Sequence, residues 1–250
     1  MPGPRVVITI ADPARASDPA RAAARNALYA EAIARHGGEP VMLPPGLPAA
    51  DRRAALATMT GLLLSGGVDI DPARYGGPAG SGQDVDAPRD GLEAEAWAAA
   101  GTRALPVLGI CRGLQAINVF SGGRLVGDVR GHQGGAWGVG PALTHPLRVA
   151  PGTRLARILF PTNARGGVID VNSYHHQAVR PADLAPGLVA AGTASSSAGE
   201  LIEAIETRSG QFVAGVQCHP ERRESTPAAF ERLFAVFVDA CRGPASARQA

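Results

Sequence analysis

Apolar residues fall along this chain in two kinds of run. Arg5 to Ile10, Val41-Met42-Leu43, Gly61 to Leu64 and Val107 to Ile110 are short and continuous rather than alternating. That pattern predicts parallel strands buried on both faces. Between them lie segments of helical length. One runs from Pro19 to His36, with Asp18 as N-cap and Gly37-Gly38 as its stop. A second covers 49–59, and a third opens at Arg89-Asp90 and Glu93 and runs to about Thr102. Its first-turn acids suit the helix dipole, a structural role. The alternation predicts an α/β fold with a mainly parallel central sheet flanked by helices. Later strands are expected at 125–126, 147–150, 168–171, 188–191, 201–205 and 212–217, with only a helical turn at 154–159 among them. Part of the C-terminal portion is therefore expected to be antiparallel. Phe230, Leu233, Phe234 and Phe237 mark one face of a last helix, starting at Thr226 or Pro227. Neither a repeat nor a linker divides the chain, so residues 1–250 read as a single domain with its core at about 5–242.

Composition narrows the picture. With 45% hydrophobic residues there is ample material for a core, and a net charge of +2 is too small to argue for nucleic acid or a membrane as partner. Every basic residue is arginine. The absence of lysine excludes Schiff-base chemistry and a P-loop ATP site within these residues. Three cysteines, Cys111, Cys218 and Cys241, have no framework spacing, which fits a reducing compartment. No signal-like h-region and no membrane-length apolar run is present, so a cytoplasmic setting is expected.

Candidate chemistry begins where the strand Val107 to Ile110 meets Cys111. A helix follows from Leu114, and Gly109 and Gly113 flank the cysteine at two residues on either side. This is the nucleophile-elbow pattern with cysteine in place of serine. The tight turn crowds its neighbours, hence the glycines, and the helix N-terminus favours an anion there. By itself the pattern fits a nucleophile and an ordinary buried cysteine equally well. A partner base decides between them. Cys218-His219-Pro220-Glu221 follows directly on the strand that ends at Gln217. An imidazole with a carboxylate two residues on is what an activated thiol requires. His132 and His145 lie in a glycine-rich connection, 131–146, and read as loop or surface histidines, because no second ligand has metal spacing.

Gly109-Ile110-Cys111-Arg112-Gly113-Leu114-Gln115 together with Gly215-Val216-Gln217-Cys218-His219-Pro220-Glu221 resembles the class I glutamine amidotransferase superfamily. Within it the chain is most similar to the γ-glutamyl-γ-aminobutyrate hydrolase-like branch, peptidase C26. Leu64 to Pro72, Arg89 to Glu93 and Val171 to Gln177 carry the likeness across nearly the whole chain. The resemblance implies a flavodoxin-like fold and hydrolysis of a small γ-glutamyl amine. Cys111 would be the nucleophile, His219 the proton carrier and Glu221 its orienting partner. Backbone N–H groups of Gly67 and Arg112 would hold the oxyanion. Gln115, Ser173, Tyr174, His175 and Tyr75 would meet the substrate. It implies no metal and no cofactor, and it admits a homodimer. Two rivals share the scaffold: a glutaminase feeding ammonia to a separate synthetase, and a catalytically silent binding protein. Cys218 departs from the tryptophan usual before the histidine in such relatives. It is expected to pack without chemistry, pointing away from His219 by strand alternation.

Overall fold

A computed structural model describes residues 3–135, 141–197 and 199–243. The elements in chain order are β1 (Arg5–Thr9), α1 (Pro19–Arg35), β2 (Glu39–Leu43), α2 (Ala49–Thr58), β3 (Gly61–Leu64), α3 (Ala87–Thr102), β4 (Val107–Ile110) and α4 (Arg112–Phe120). They continue with β5 (Thr144–Val149), α5 (Arg154–Leu159), β6 (Gly167–Asn172), β7 (Leu188–Ser196), β8 (Gly199–Thr207), β9 (Val213–Val216) and α6 (Glu231–Ala240). One nine-stranded sheet has the order β2-β1-β3-β4-β9-β8-β7-β5-β6. From β2 to β9 the strands are parallel. From β9 to β6 they are antiparallel.

Strand periodicity splits the core in two. Val6, Ile8 and Leu63 face one cluster with Tyr29 and Ile33 of α1 and Phe234 and Phe237 of α6. Val7, Leu62 and Leu64 face the other, with Leu56 of α2, Leu92 and Ala96 of α3, and Leu114 and Ile117 of α4. Adjacent residues of one strand thus serve opposite helical layers, and this is why these strands are apolar throughout.

Four elements depart from expectation. The antiparallel strands run longer, β7 and β8 to nine residues each. Their backbone ladder continues through polar positions such as Thr193 and Ser195 that do not read as strand. β5 begins at Thr144 rather than Leu147, because pairing with β6 holds His145 opposite Val171. The short strand expected at 125–126 is a single bridge between Val126 and Ala178. Of the glycine-rich connection, residues 136–140 lie outside the described ones.

The parallel half positions the site. β3, β4 and β9 are neighbours, paired Leu64 to Gly109 and Ile110 to Val216, so all three end at one edge of the sheet. Ser65-Gly66-Gly67, Cys111 and His219 follow those three strand ends. Carboxyl ends of parallel strands are where such sheets bind ligands.

Candidate active site

Cys111 occupies the turn between β4 and α4 with φ 53° and ψ −107°. That left-handed backbone is costly for a side-chain-bearing residue. Packing sustains it. A Cβ on Gly109 would lie 2.5 Å from the Gly113 carbonyl carbon, and one on Gly113 would lie 1.9 Å from the Leu64 oxygen. The Cys111 N–H donates to the Val216 carbonyl at 2.8 Å, tying the turn to β9.

His219 Nδ1 meets Glu221 Oε1 at 2.7 Å, and both residues are buried. Burial works against a charged imidazole, but Glu221 and Cys111, through charge and hydrogen bonds, prevail and raise His219 to about 9. Gly66 leaves the imidazole its space: a Cβ there would meet His219 Cε1 at 2.7 Å and the Tyr29 hydroxyl at 2.8 Å, with Cys111 Cβ at 3.6 Å. Thiol, imidazole and carboxylate are thus assembled around a glycine wall.

The histidine's backbone is clamped. Asn172 Oδ1 accepts from His219 N–H at 2.7 Å, and Asn172 Nδ2 donates to the His219 carbonyl at 3.0 Å. Gln217, two residues before His219, donates from Nε2 to Cys111 Sγ at 3.5 Å. Tyr29 accepts from Gly66 N–H at 3.1 Å. None of these three stands out in the sequence as a site residue. Gln217 could have been found from its two-residue offset to His219, whereas Tyr29, on α1, has no local signal.

The Ser65-Gly67 turn rests on buried charges. Arg89 Nη2 donates to the Ser65 and Gly66 carbonyls at 2.9 and 3.0 Å, and its Nε to Glu93 at 2.9 Å. The Arg112 side chain turns inward onto Glu93 and Asp90. Burial alone would raise Glu93, but the two guanidinium groups hold it below the ordinary carboxylate range. The first turn of α3 is therefore a buried brace for the turn after β3 and for α4, not an exposed charged helix start.

The remaining sequence candidates divide. Tyr174 packs edge-on against His219, with ring centroids 5.7 Å apart and Arg222 stacked on its ring. The Gln115 amide nitrogen is committed to the Gln177 carbonyl at 2.9 Å and to Gln217 at 3.3 Å. Ser173 Oγ donates to the His132 carbonyl at 2.6 Å, and Tyr75 receives only a long bond from Gln177 at 3.5 Å. Cys218 is buried in the core, where burial pushes its thiol well above the ordinary range. His176 pairs with Asp69 at 2.9 Å.

His175 is turned away from the open edge. It is 3% exposed, and its Nε2 faces Glu203 at 3.6 Å beside the rings of His132 and His145. Tyr174, not its neighbour, is the residue of this segment set against His219. His132 is likewise buried rather than a surface histidine, and His145 lies on β5. Burial lowers His175 to about 3 and, with the neighbouring His145, His132 to about 4, while it raises Glu203 to about 8.

The family model for peptidase C26 matches residues 7–221, a span that reaches from β1 to Glu221. The chain belongs to the peptidase C26 family. Among its relatives, a Mycobacterium tuberculosis protein named "Putative glutamine amidotransferase" is 37% identical over 220 residues, which are 86% of this chain and 67% of that protein. The γ-glutamyl-γ-aminobutyrate hydrolase of Escherichia coli K12 is 30% identical over 230 residues, 86% of this chain and 85% of that one. In fold, this peptidase C26 member is similar to a Thermoplasma acidophilum protein described as a putative GMP synthase component. The TM-score is 0.65 at 16% identity, covering 99% of this chain and 98% of the other. That likeness establishes the class I glutamine amidotransferase fold. Among the described residues no helix is long and apolar enough to cross a membrane.

Proposed function

We propose that this peptidase C26 member is a cysteine-dependent hydrolase of γ-glutamyl amides, acting on small γ-glutamyl amines. The observation that carries the reading is the convergence of Cys111 and the His219–Glu221 pair, bonded at 2.7 Å, at one edge of the sheet. In the reaction the Cys111 thiolate adds to the γ-carbonyl carbon. The Gly67 and Arg112 N–H groups stabilise the oxyanion, each worth about 3 kcal/mol. The C–N bond breaks as His219 gives its proton to the leaving amine, and a γ-glutamyl thioester remains. Water then adds to the thioester while His219 takes its proton. Glutamate leaves and the thiolate returns. Glu221 keeps the imidazole oriented and stabilises its charged form. Tyr174, beside His219, is assigned to the substrate side; the burial of His175 supports no such part for it.

The similarity to proteins named as glutamine amidotransferases favours a second reading, a glutaminase delivering ammonia to a separate synthetase. One assay separates the two. Purified protein is incubated with a panel of γ-glutamyl amines and with L-glutamine, without ATP or any second protein, and glutamate release is followed. The hydrolase turns over at least one γ-glutamyl amine and handles glutamine poorly. Glutaminase activity that emerges only on adding another protein overturns it in favour of the ammonia donor.

A further inference from the structure

Behind the catalytic loop lies a second cluster of chemistry-bearing side chains. His132, His145, His175 and Glu203 bring one ligand atom each to within 4.8 Å of one another. They come from four separate segments: the connection after α4, β5, the loop after β6, and β8. Both Glu203 oxygens are buried and lack a hydrogen-bond partner, as do His132 Nδ1, His145 Nε2 and His175 Nε2. Those three nitrogens face the carboxylate at 3.8, 3.7 and 3.6 Å. An unsolvated carboxylate among unpartnered nitrogens is costly. A cation at their centre would partner the three nitrogens and one carboxylate oxygen at once and balance the carboxylate's charge.

The second layer favours the same answer. His175 Nδ1 lies 3.0 Å from the Gln177 carbonyl, and His145 Nδ1 lies 3.3 Å from the Pro146 carbonyl. A carbonyl can only accept, so each Nδ1 carries the hydrogen and each Nε2 presents a lone pair to the centre. That is how proteins orient metal-binding imidazoles. Three nitrogens and one oxygen are a zinc donor set, not a calcium or magnesium one. Ligands about 2.0–2.1 Å from zinc stand about 3.3–3.4 Å apart in a tetrahedron. His132 and His175 stand 3.8 and 3.6 Å from Glu203 Oε1 and His145 3.7 Å from Oε2, and with the four ligand atoms within 4.8 Å of one another the side chains close by at most about 1.5 Å onto an ion.

We propose that His132, His145, His175 and Glu203 form a structural zinc site. Four protein ligands leave no open position for water or substrate, so the ion holds the fold and performs no hydrolysis. It joins the connection after α4 to the antiparallel half of the sheet. It also fixes the loop whose Tyr174 packs on His219.

The test uses untagged full-length protein, loaded with zinc under reducing conditions, freed of excess metal by gel filtration and analysed by elemental mass spectrometry. Wild type, His36→Ala and Cys111→Ser are expected to retain about one zinc per chain, and the double variant His132→Ala/His145→Ala less than about a tenth. Retention by Cys111→Ser separates this site from adventitious zinc on the catalytic thiol. Zinc-free wild type, equal zinc in the double variant, or zinc lost with Cys111→Ser would each overturn the proposal. If the double variant does not fold by circular dichroism, cobalt titration of wild type decides. An intense tetrahedral ligand-field spectrum without a thiolate charge-transfer band supports the site; a weak octahedral spectrum or a thiolate band overturns it.

Discussion

Cys111, Cys218 and Cys241 are all buried, yet their surroundings differ in kind. Cys111 alone lies at the elbow beside Gln217 and His219. Cys241 packs against Gly61, and burial pushes its thiol up to about 12. A γ-glutamyl electrophile should therefore add once, at Cys111, as read by peptide mass spectrometry. Cys111→Ala should abolish turnover with the fold intact, while Cys241→Ala and Cys218→Ser keep most of it; labelling at Cys218 or Cys241 instead would refute the assignment. His219 supplies a pH signature. Its ordinary value of 6.5 is raised to about 9, so its charged form persists through neutrality. The stability contributed by that charge is complete below 6.5 and lost as pH rises through about 9. Above about 9 the leaving amine also loses its proton donor, so kcat/KM should fall there. Glu221→Gln removes a negative charge that raises His219. Its alkaline limb should move to lower pH and its kcat drop by on the order of 10²–10⁴. A limb that stays in place would show that another group sets it.

At the scale of elements, the elbow works because β3, β4 and α4 approach closer than side chains allow. Gly113 is the contact point, since a Cβ there would stand 1.9 Å from the Leu64 oxygen. Gly113→Ala should cost about 1–3 kcal/mol in urea denaturation and most of the activity, because α4 must shift and carry the Arg112 N–H with it. Gly91 on α3 is the contrast: it is exposed, and a Cβ added there meets nothing within 4 Å. Gly91→Ala should stabilise the protein by about 0.5–1 kcal/mol without changing kcat. If both variants behave alike, close packing is not what holds the elbow. The brace on the other side of the site is α3, whose Arg89 and Glu93 tie Ser65 and Gly66 to α4 through Arg112.

Across the whole molecule, a parallel half and an antiparallel half share one sheet through β9 and β8. The parallel half and the elbow were legible in the sequence because their signals are local. Continuous apolar runs mark strands buried on both faces, and Gly109-Ile110-Cys111-Arg112-Gly113 encodes its own strained turn. Cys218-His219-Pro220-Glu221 is equally local, since the turn after β9 brings an imidazole and a carboxylate two residues apart to within 2.7 Å. Nothing local marks Tyr29 as the partner of Gly66, or Asn172 as the clamp on His219, across sequence separations of 37 and 47 residues. The same holds for the buried polar residues. Arg89 and Glu93 look like an ordinary charged helix start, His132 and His145 like loop or surface histidines, and His175 like a substrate contact, while Glu203 lies unremarked in an expected strand. Sequence by itself determined the alternation of strands and helices, the elbow cysteine and its candidate imidazole partner, because backbone strain and strand alternation act within a few residues. Only the tertiary structure decided which polar groups are sealed from water and face one another. That depends on long-range packing of four segments around Glu203, which no spacing along the chain records.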